Sequence, residues 1–336
     1  MKDTVSLRIV GQDIRHFLGY SIEADLYQAA DAFHLDLVNP DVRVTPGSRC
    51  ELYVNNELEL TGIIDKVIPG YDKKGVKLTI EGRDLMGLVV DAYCEEFRTW
   101  KNVTLKTLAE KLLKPVPYIS RESIVYQQGA GEPLKMVQVE PGQTVFQVLH
   151  DAAASRGLMF YSLTDGTFCF GKPAARGSHE YTIVTRKDGR GNNVKDATRY
   201  QDISGRYSKI TVLGQQQGRE EFGMDSRKVN TRATVTDPDF PYHKPFVTRN
   251  NNDDLSPALQ ARLIMEKQRF ESDHLFYKVP RHASGGRNWR INKLCRVTDE
   301  VFGIDGTYLI YNRVLAMDKQ EGVITWLKLG PPGVVA

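Results

Sequence analysis

The sequence is poor in the features that announce a membrane, a metal or a disulfide framework. No apolar run approaches the roughly 20 residues that span a bilayer, and the opening MKDTVSLRIVGQDIRH lacks the apolar core of a signal peptide. The product is therefore expected to stay soluble in the cytoplasm where it is made, with no stable membrane insertion. The four cysteines, Cys50, Cys94, Cys169 and Cys295, lie far apart among apolar neighbours, a spacing that fits neither a disulfide framework nor a zinc ribbon. Seven histidines are equally scattered, with no HExxH and no His-x-x-x-His pair, so no metal ligand is assigned. Charge of one sign is scarce as well: 45 basic against 42 acidic side chains leave a net +3. Nothing global demands nucleic acid or an anionic membrane as partner.

What is present is mostly strand pattern. The chain of 336 residues has length for about two or three domains. Residues 1–90 read as strands throughout: VSLRIVG puts Val5, Leu7 and Ile9 on one face, CELYVNNELELTG reads as a hairpin turning at Asn55 and Asn56, and VKLTIEG alternates through Val76, Leu78 and Ile80. From about Trp100 the texture changes. Leu105, Leu108, Ala109, Leu112 and Leu113 recur at helical spacing before Pro115 stops the run. A second helix is expected in VEPGQTVFQVLHDAAASRGL: Thr144 and Gln147 form a capping box, Val145, Val148, Leu149, Ala152 and Ala153 make one apolar stripe, and Gly157 suits the C-terminal turn. The strands LMFYS and TFCF follow, joined at Asp165-Gly166.

Strands return with YTIV and SKITVLG, the latter around Ile210 and Val212. The segment from Gln215 to Asn252 is polar and broken by Pro238, Pro241 and Pro245, and reads as a long exposed excursion. Ser256 and Pro257 then open a helix as N-cap and first residue. HLFYKVP, NKLCRVTD, TYLIYNRVLAMD and GVITWLKLG complete a second β-rich region.

Each motif that suggests chemistry has a weak point. The PGQT turn is that of a peptidoglycan-binding LysM unit, but a hairpin stands where that unit needs its second helix. GTFCFGK, residues 166–172, has the glycine and lysine spacing of a P-loop, yet Pro173 replaces the hydroxyl that would bind magnesium. In GAGEPL, residues 129–134, Glu132 and Pro133 break the helix start a dinucleotide needs. The pairs Glu95-Glu96 and Asp253-Asp254 are adjacent acids, which solvated surface charge explains better than glycosidase geometry. No GxSxG elbow and no cysteine nucleophile signature occur. In PRHASGGRNWRINKLCR, Arg281, Arg287, Arg290, Lys293 and Arg296 surround Trp289, which would suit a nucleic-acid backbone and a stacked base. A solvated strand edge and loop is favoured for it, because the region is not strongly basic overall. No residue is assigned as catalytic, cofactor-binding or metal-binding, no cofactor is implied, and interface residues stay unassigned.

Seven segments in order carry a resemblance: VSLRIVGQDIRHFLGYSIEADLYQAADAFHLDLVNP, EGRDLMGLVVDA, TWKNVTLKTLAEKL, VEPGQTVFQVLHDAAASRGL, SGRYSKITVLGQQQG, PYHKPFVT and TYLIYNRVLAMDKQEGVITWLKLGPP. Over nearly its whole length the chain resembles the baseplate hub proteins (tail protein P) of Mu-like contractile phage tails. The stretch PRHASGGRNWRIN matches that family only loosely. The resemblance implies a mostly β, α+β fold with two β-barrel-like domains joined by a small α/β domain, assembled as a ring-shaped homotrimer. It implies no catalysis, a place in the virion tail baseplate, tail tube and spike proteins as partners, and a central channel for DNA passage. Boundaries are expected at 1–95, 96–174 and 175–336, the last with one helix and the polar excursion. The competing expectations are a wall-glycan-binding module centred on PGQT and a wall-hydrolysing tail protein.

Overall fold

Alternating apolar residues drive the first region into seven strands: β1 (Val5–Ile9), β2 (Gln12–Ile14), β3 (Gly19–Asp25), β4 (Ala32–Val38), β5 (Arg49–Val54), β6 (Glu57–Asp72) and β7 (Gly75–Asp84). The computed structural model describes residues 3–73, 75–215, 230–250 and 254–335. Leu7, Ile22, Leu35, Leu52, Ile64 and Ile80 make the core of this region, each at every second position of its strand. β5 turns into β6 through Asn55 and Asn56, whose φ values of 51° and 64° are the left-handed pair of a tight hairpin.

The middle region mixes helices and short strands: α1 (Met86–Asp91), β8 (Thr99–Val103), α2 (Leu105–Leu112), β9 (Val125–Tyr126), β10 (Leu134–Gln138), α3 (Val145–Ala154), β11 (Met159–Ser162) and β12 (Phe168–Gly171). The capping box of α3 is present in both directions, which satisfies two otherwise orphaned N–H groups. Its stripe, Val145, Val148, Leu149, Ala152 and Ala153, is wholly buried against Leu105, Leu108, Phe160, Phe168 and Phe170. Gly157 takes a φ of 63° just past the helix.

The last region holds β13 (Tyr181–Thr185), β14 (Asp196–Gln201), β15 (Lys209–Gln215), β16 (Asn230–Thr236), β17 (Pro245–Asn250), α4 (Pro257–Ser272), β18 (Asp273–Pro280), β19 (Ala283–Ser284), β20 (Arg287–Asn288), β21 (Lys293–Asp299), β22 (Ile304–Asp318) and β23 (Gly322–Gly330). Ser256 caps α4 and Pro257 opens it, as expected. The expected excursion is corrected here. Residues 230–250 supply two strands, with β15 between β16 (antiparallel) and β17 (parallel), while residues 216–229 and 251–253 lie outside the described part. The prolines fall where strands tolerate them, Pro238 and Pro241 in the connection and Pro245 at the first position of β17.

The two β-rich regions are not separate closed units. One 13-stranded sheet runs β14-β18-β23-β22-β3-β4-β7-β6-β5-β1-β2, with β13 and β21 attached at β22. Of the described residues, 47% lie in strands and 14% in helices. The joint is β22, whose first half pairs β21 and whose second half pairs β3, with β23 on its other edge. A cluster of Leu26, Tyr161, Phe270, Leu309 and Tyr311 packs all three regions together beneath that joint.

β6 and β7 approach so closely near a bulge at Ile64/Lys66 that only glycine fits at two places. A Cβ on Gly62 would lie 2.0 Å from the Arg83 carbonyl oxygen, and one on Gly82 would lie 2.3 Å from that of Ile63 and 2.5 Å from the Phe33 ring. Gly62→Ala and Gly82→Ala should each cost about 1–3 kcal/mol in a denaturant titration. Gly70→Ala, which meets nothing within 4 Å, is the control and should be near neutral.

Candidate functional site

The β5–β6 turn, the stretch 281–290 and β22 meet in a buried polar junction between the first and last regions. Arg313 sits at an inward position of β22, in line with Leu315 and, across the bulge between Ile310 and Asn312, with Ile310, and is 2% exposed. Its guanidinium meets the Glu59 carboxylate at 2.5 Å and donates to the Trp289 carbonyl at 2.8 Å. Glu59, 3% exposed, also accepts from the Asn288 amide at 2.7 Å, and that amide donates to the Val54 carbonyl at 2.8 Å. Tyr181 donates its hydroxyl to the Asn288 carbonyl. The buried charge pair is thus held by hydrogen bonds with the adjacent residues Asn288 and Trp289, which offset part of the cost of taking two charges out of water.

A second relay lies beside the first. Tyr20 of β3 and His282 Nε2 are 2.7 Å apart, His282 Nδ1 and the Thr325 hydroxyl 3.1 Å, and Thr325 donates to the Arg281 carbonyl at 2.7 Å. Burial pushes the His282 imidazole down from its ordinary 6.5 to about 4, against Asp3, which pulls the other way. At neutral pH it is an uncharged ring wedged between strands.

The basic stretch is therefore not built to stack a base. Trp289 is 2% exposed and packs on Tyr181 at 4.7 Å between centroids, out of reach of any base. Arg281 pairs with Asp3, Arg290 with Glu57, Lys293 with Glu180 and Arg296 with Asp305, while Arg287 is exposed in the β19–β20 turn. The expectation of a solvated stretch holds for its cations, which stay 37–47% exposed where they pair, and fails for Trp289, which is buried.

The remaining candidates fall apart in space. GTFCFGK holds β12, and Phe168, Cys169, Phe170 and Gly171 are all buried, so no loop is free to wrap a phosphate. Glu132 and Pro133 lie in a turn leading into β10. Glu95 and Glu96 are exposed, the latter beside Arg98 at 2.9 Å. Asp254 accepts from the Lys135 N–H at 2.9 Å, and Asp253 lies outside the described residues. The four cysteines are buried and free. Among the described residues no group of three or more His, Cys, Asp or Glu side chains is arranged to hold a metal, and no helix is long and apolar enough to cross a membrane.

Sequence reasoning passed over Arg313, Glu59, Asn288 and His282. Two signals were available: an arginine in core register within LIYNRVL, and a glutamate between two leucines in ELELTG.

Two measurements test the junction. Arg313→Met strands the Glu59 carboxylate and should lose about 3–5 kcal/mol, whereas Arg313→Met combined with Glu59→Leu should recover most of it; a double variant as unstable as the single one in denaturant would sink this account. For His282, the unfolded ring takes a proton below pH 6.5 and the folded one only near 4, so its contribution is intact above 6.5 and lost on the way down to 4. The stability of wild type relative to His282→Gln should therefore fall across that window and stay level above it.

Comparison with known proteins agrees with this architecture. Successive parts of the chain match three domain models: Mu phage baseplate assembly protein GpP-like, N-terminal, over residues 4–84; baseplate hub protein gp44-like, second domain, over 87–172; and tail protein NMB1110-like, third domain, over 206–262. The baseplate hub protein gp44 of Escherichia phage Mu is 24% identical over 343 residues, covering 98% of this chain and 88% of that one. A tail protein from Neisseria meningitidis MC58 superposes with a TM-score of 0.84 at 27% identity, over 98% of this chain and 97% of the other. The 43 kDa tail protein of prophage MuSo2 from Shewanella oneidensis gives 0.82 at 22%, over 98% of both. With three hub and tail domains in order and relatives matched from end to end, the chain belongs to the baseplate hub family of Mu-like phage tails.

Proposed function

We propose that three copies of this chain close into a ring that joins a sixfold tail tube to a threefold spike, around a central channel for DNA passage in the virion baseplate. The observation that carries the reading is the β3–β22 ladder. It supports a division into two β-rich units, within residues 1–95 and 175–336, held at a constant angle in one chain, with residues 96–174 as the α/β element between them. Three chains then present six β-rich units to one side and three chains to the other, which is how a closed ring matches unequal symmetries.

Two further features support it. The sheet is open: β14 forms one edge, and past Ile64 the other edge of β6 meets no strand among the described residues. An edge of that length invites pairing with another chain. The outward face of the sheet is polar along its width, from Lys278 beside Trp326 through Glu23 to His34, Glu81 and Lys66. Mixed charge of this kind suits the wall of a water-filled channel better than a buried contact. The function is then one of position and stiffness, without bond-making.

Light scattering across a concentration series, followed by particle imaging, tests the reading. A mass three times the 38.0 kDa chain with a central opening is the expected result. A monomer at every concentration, or a dimer, counts against the ring.

A further inference from the structure

The small sheet β16-β15-β17 has one face closed and one open. Ile210 and Val212 meet Ala261 and Met265 of α4, so alternation turns Lys209, Thr211 and Leu213 to the other side. The register sets Arg232 and Arg249 on either side of Leu213, and Val247 beside Thr211. Leu213 and Val247 are 39% and 61% exposed, while Thr211, bonded to Thr234, is buried at 3%, so the open part of the face is its Leu213 and Val247 end. Lys209, Arg232 and Arg249 have no ionic partner, and no carboxylate stands in these rows, among the described residues. The result is an apolar strip between cations.

The same chain carries the complement. Residues 93–97 read Tyr-Cys-Glu-Glu-Phe. Cys94 is buried and its N–H donates to the Gln143 carbonyl at 3.0 Å, while Tyr93 forms a bridge with Thr144 at the start of α3. The segment is therefore anchored at its base. Tyr93 and Phe97 are nevertheless 64% and 57% exposed, and Glu95 and Glu96 project between them. The pairing of Glu96 with Arg98 involves two side chains about two-thirds exposed and is readily exchanged.

We propose that residues 93–97 of one copy dock on the open face of β15 and its neighbours in the next copy. Glu95 and Glu96 of that copy meet Arg232 and Arg249, and an aromatic ring covers Leu213 and Val247. A knob and a face at different places on one molecule make a heterologous contact, which closes into a ring when the rotation allows. This rests on the trimer reading and names the surfaces that make it. Nucleic acid fits the face less well, because among the described residues of its rows no aromatic ring stands on it to stack a base.

Charge reversal decides the matter. Arg232→Glu with Arg249→Glu, and separately Glu95→Arg with Glu96→Arg, should each weaken trimer formation at least about tenfold through like-charge contact, with unchanged far-UV circular dichroism because all four side chains are exposed. The four substitutions together recreate opposite charges across every contact and should restore the trimer. Pair variants that assemble like wild type, or a folded fourfold variant that stays dissociated, overturn the contact while leaving the ring intact. A wild-type chain that never assembles removes both.

Discussion

The architecture depends on one strand serving two neighbours. β22 is 15 residues long, about 50 Å when extended, and the segment that pairs β21 is distinct from the segment that pairs β3. A bulge in its ladder with β23, between Ile310 and Asn312, lies at the changeover. Bulges bend a strand and increase its twist, so this one lets β22 leave the core of Leu275, Tyr277 and Leu327 and enter that of Ile22, Leu35 and Leu315. Had the two regions been joined by a linker instead, their relative angle would be free, as is usual between domains with modest interfaces. A continuous ladder removes that freedom.

The charged junction makes sense against this background. A buried ion pair is a weak source of net stability, since desolvation offsets most of the attraction. It is a strong source of discrimination, because a register slip of one residue along β22 would turn Arg313 to the outer face and leave Glu59 alone in the core. Asn288 adds to this by holding Glu59 and the end of β5 at once. Tyr20, His282 and Thr325 do the same at the next position without charge. The polar groups therefore select one alignment of two apolar sheets that would otherwise tolerate several.

Most elements were legible in the sequence because their signals are local. The Asn55-Asn56 turn, the capping box at Thr144 and Gln147, and the Ser256-Pro257 start all depend on residues within four positions of each other. What stayed hidden is long-range. Arg290 and Trp289 resemble an exposed basic patch until Glu57 and Tyr181 are brought to them from over a hundred residues away. β16 and β17 have the sequence of an excursion because prolines and polar residues dominate the segment, although TRATVT alternates and β17 is held by a parallel partner that no local pattern announces. The merging of two β-rich regions into one sheet was invisible for the same reason, since a ladder between β3 and β22 links residues almost three hundred positions apart.

Rigidity and openness divide the molecule's labour. The first and last regions, bound through β22, form a stiff body whose polar face and free edges are fixed relative to each other. The middle region is tied to that body by apolar packing around Ile63, Leu85 and Tyr161 and by polar contacts that include the Ser162 hydroxyl on Asp84 and the Asp254 carboxylate on Lys135 and Arg156. Burial raises the Asp84 carboxyl to about 6 against the hydrogen bonds from Ser162 and the start of α1. With a raised pKa its proton is held more tightly in the folded chain than in the unfolded one, so its contribution is undiminished below about 4 and falls as pH rises towards 6. That is opposite in sign to His282, which is lost on acidification. The two groups sit at different seams, His282 between the β-rich regions and Asp84 where the α/β region meets the sheet. Acid therefore acts in opposite directions on the two groups, favouring the seam at Asp84 and weakening the one at His282.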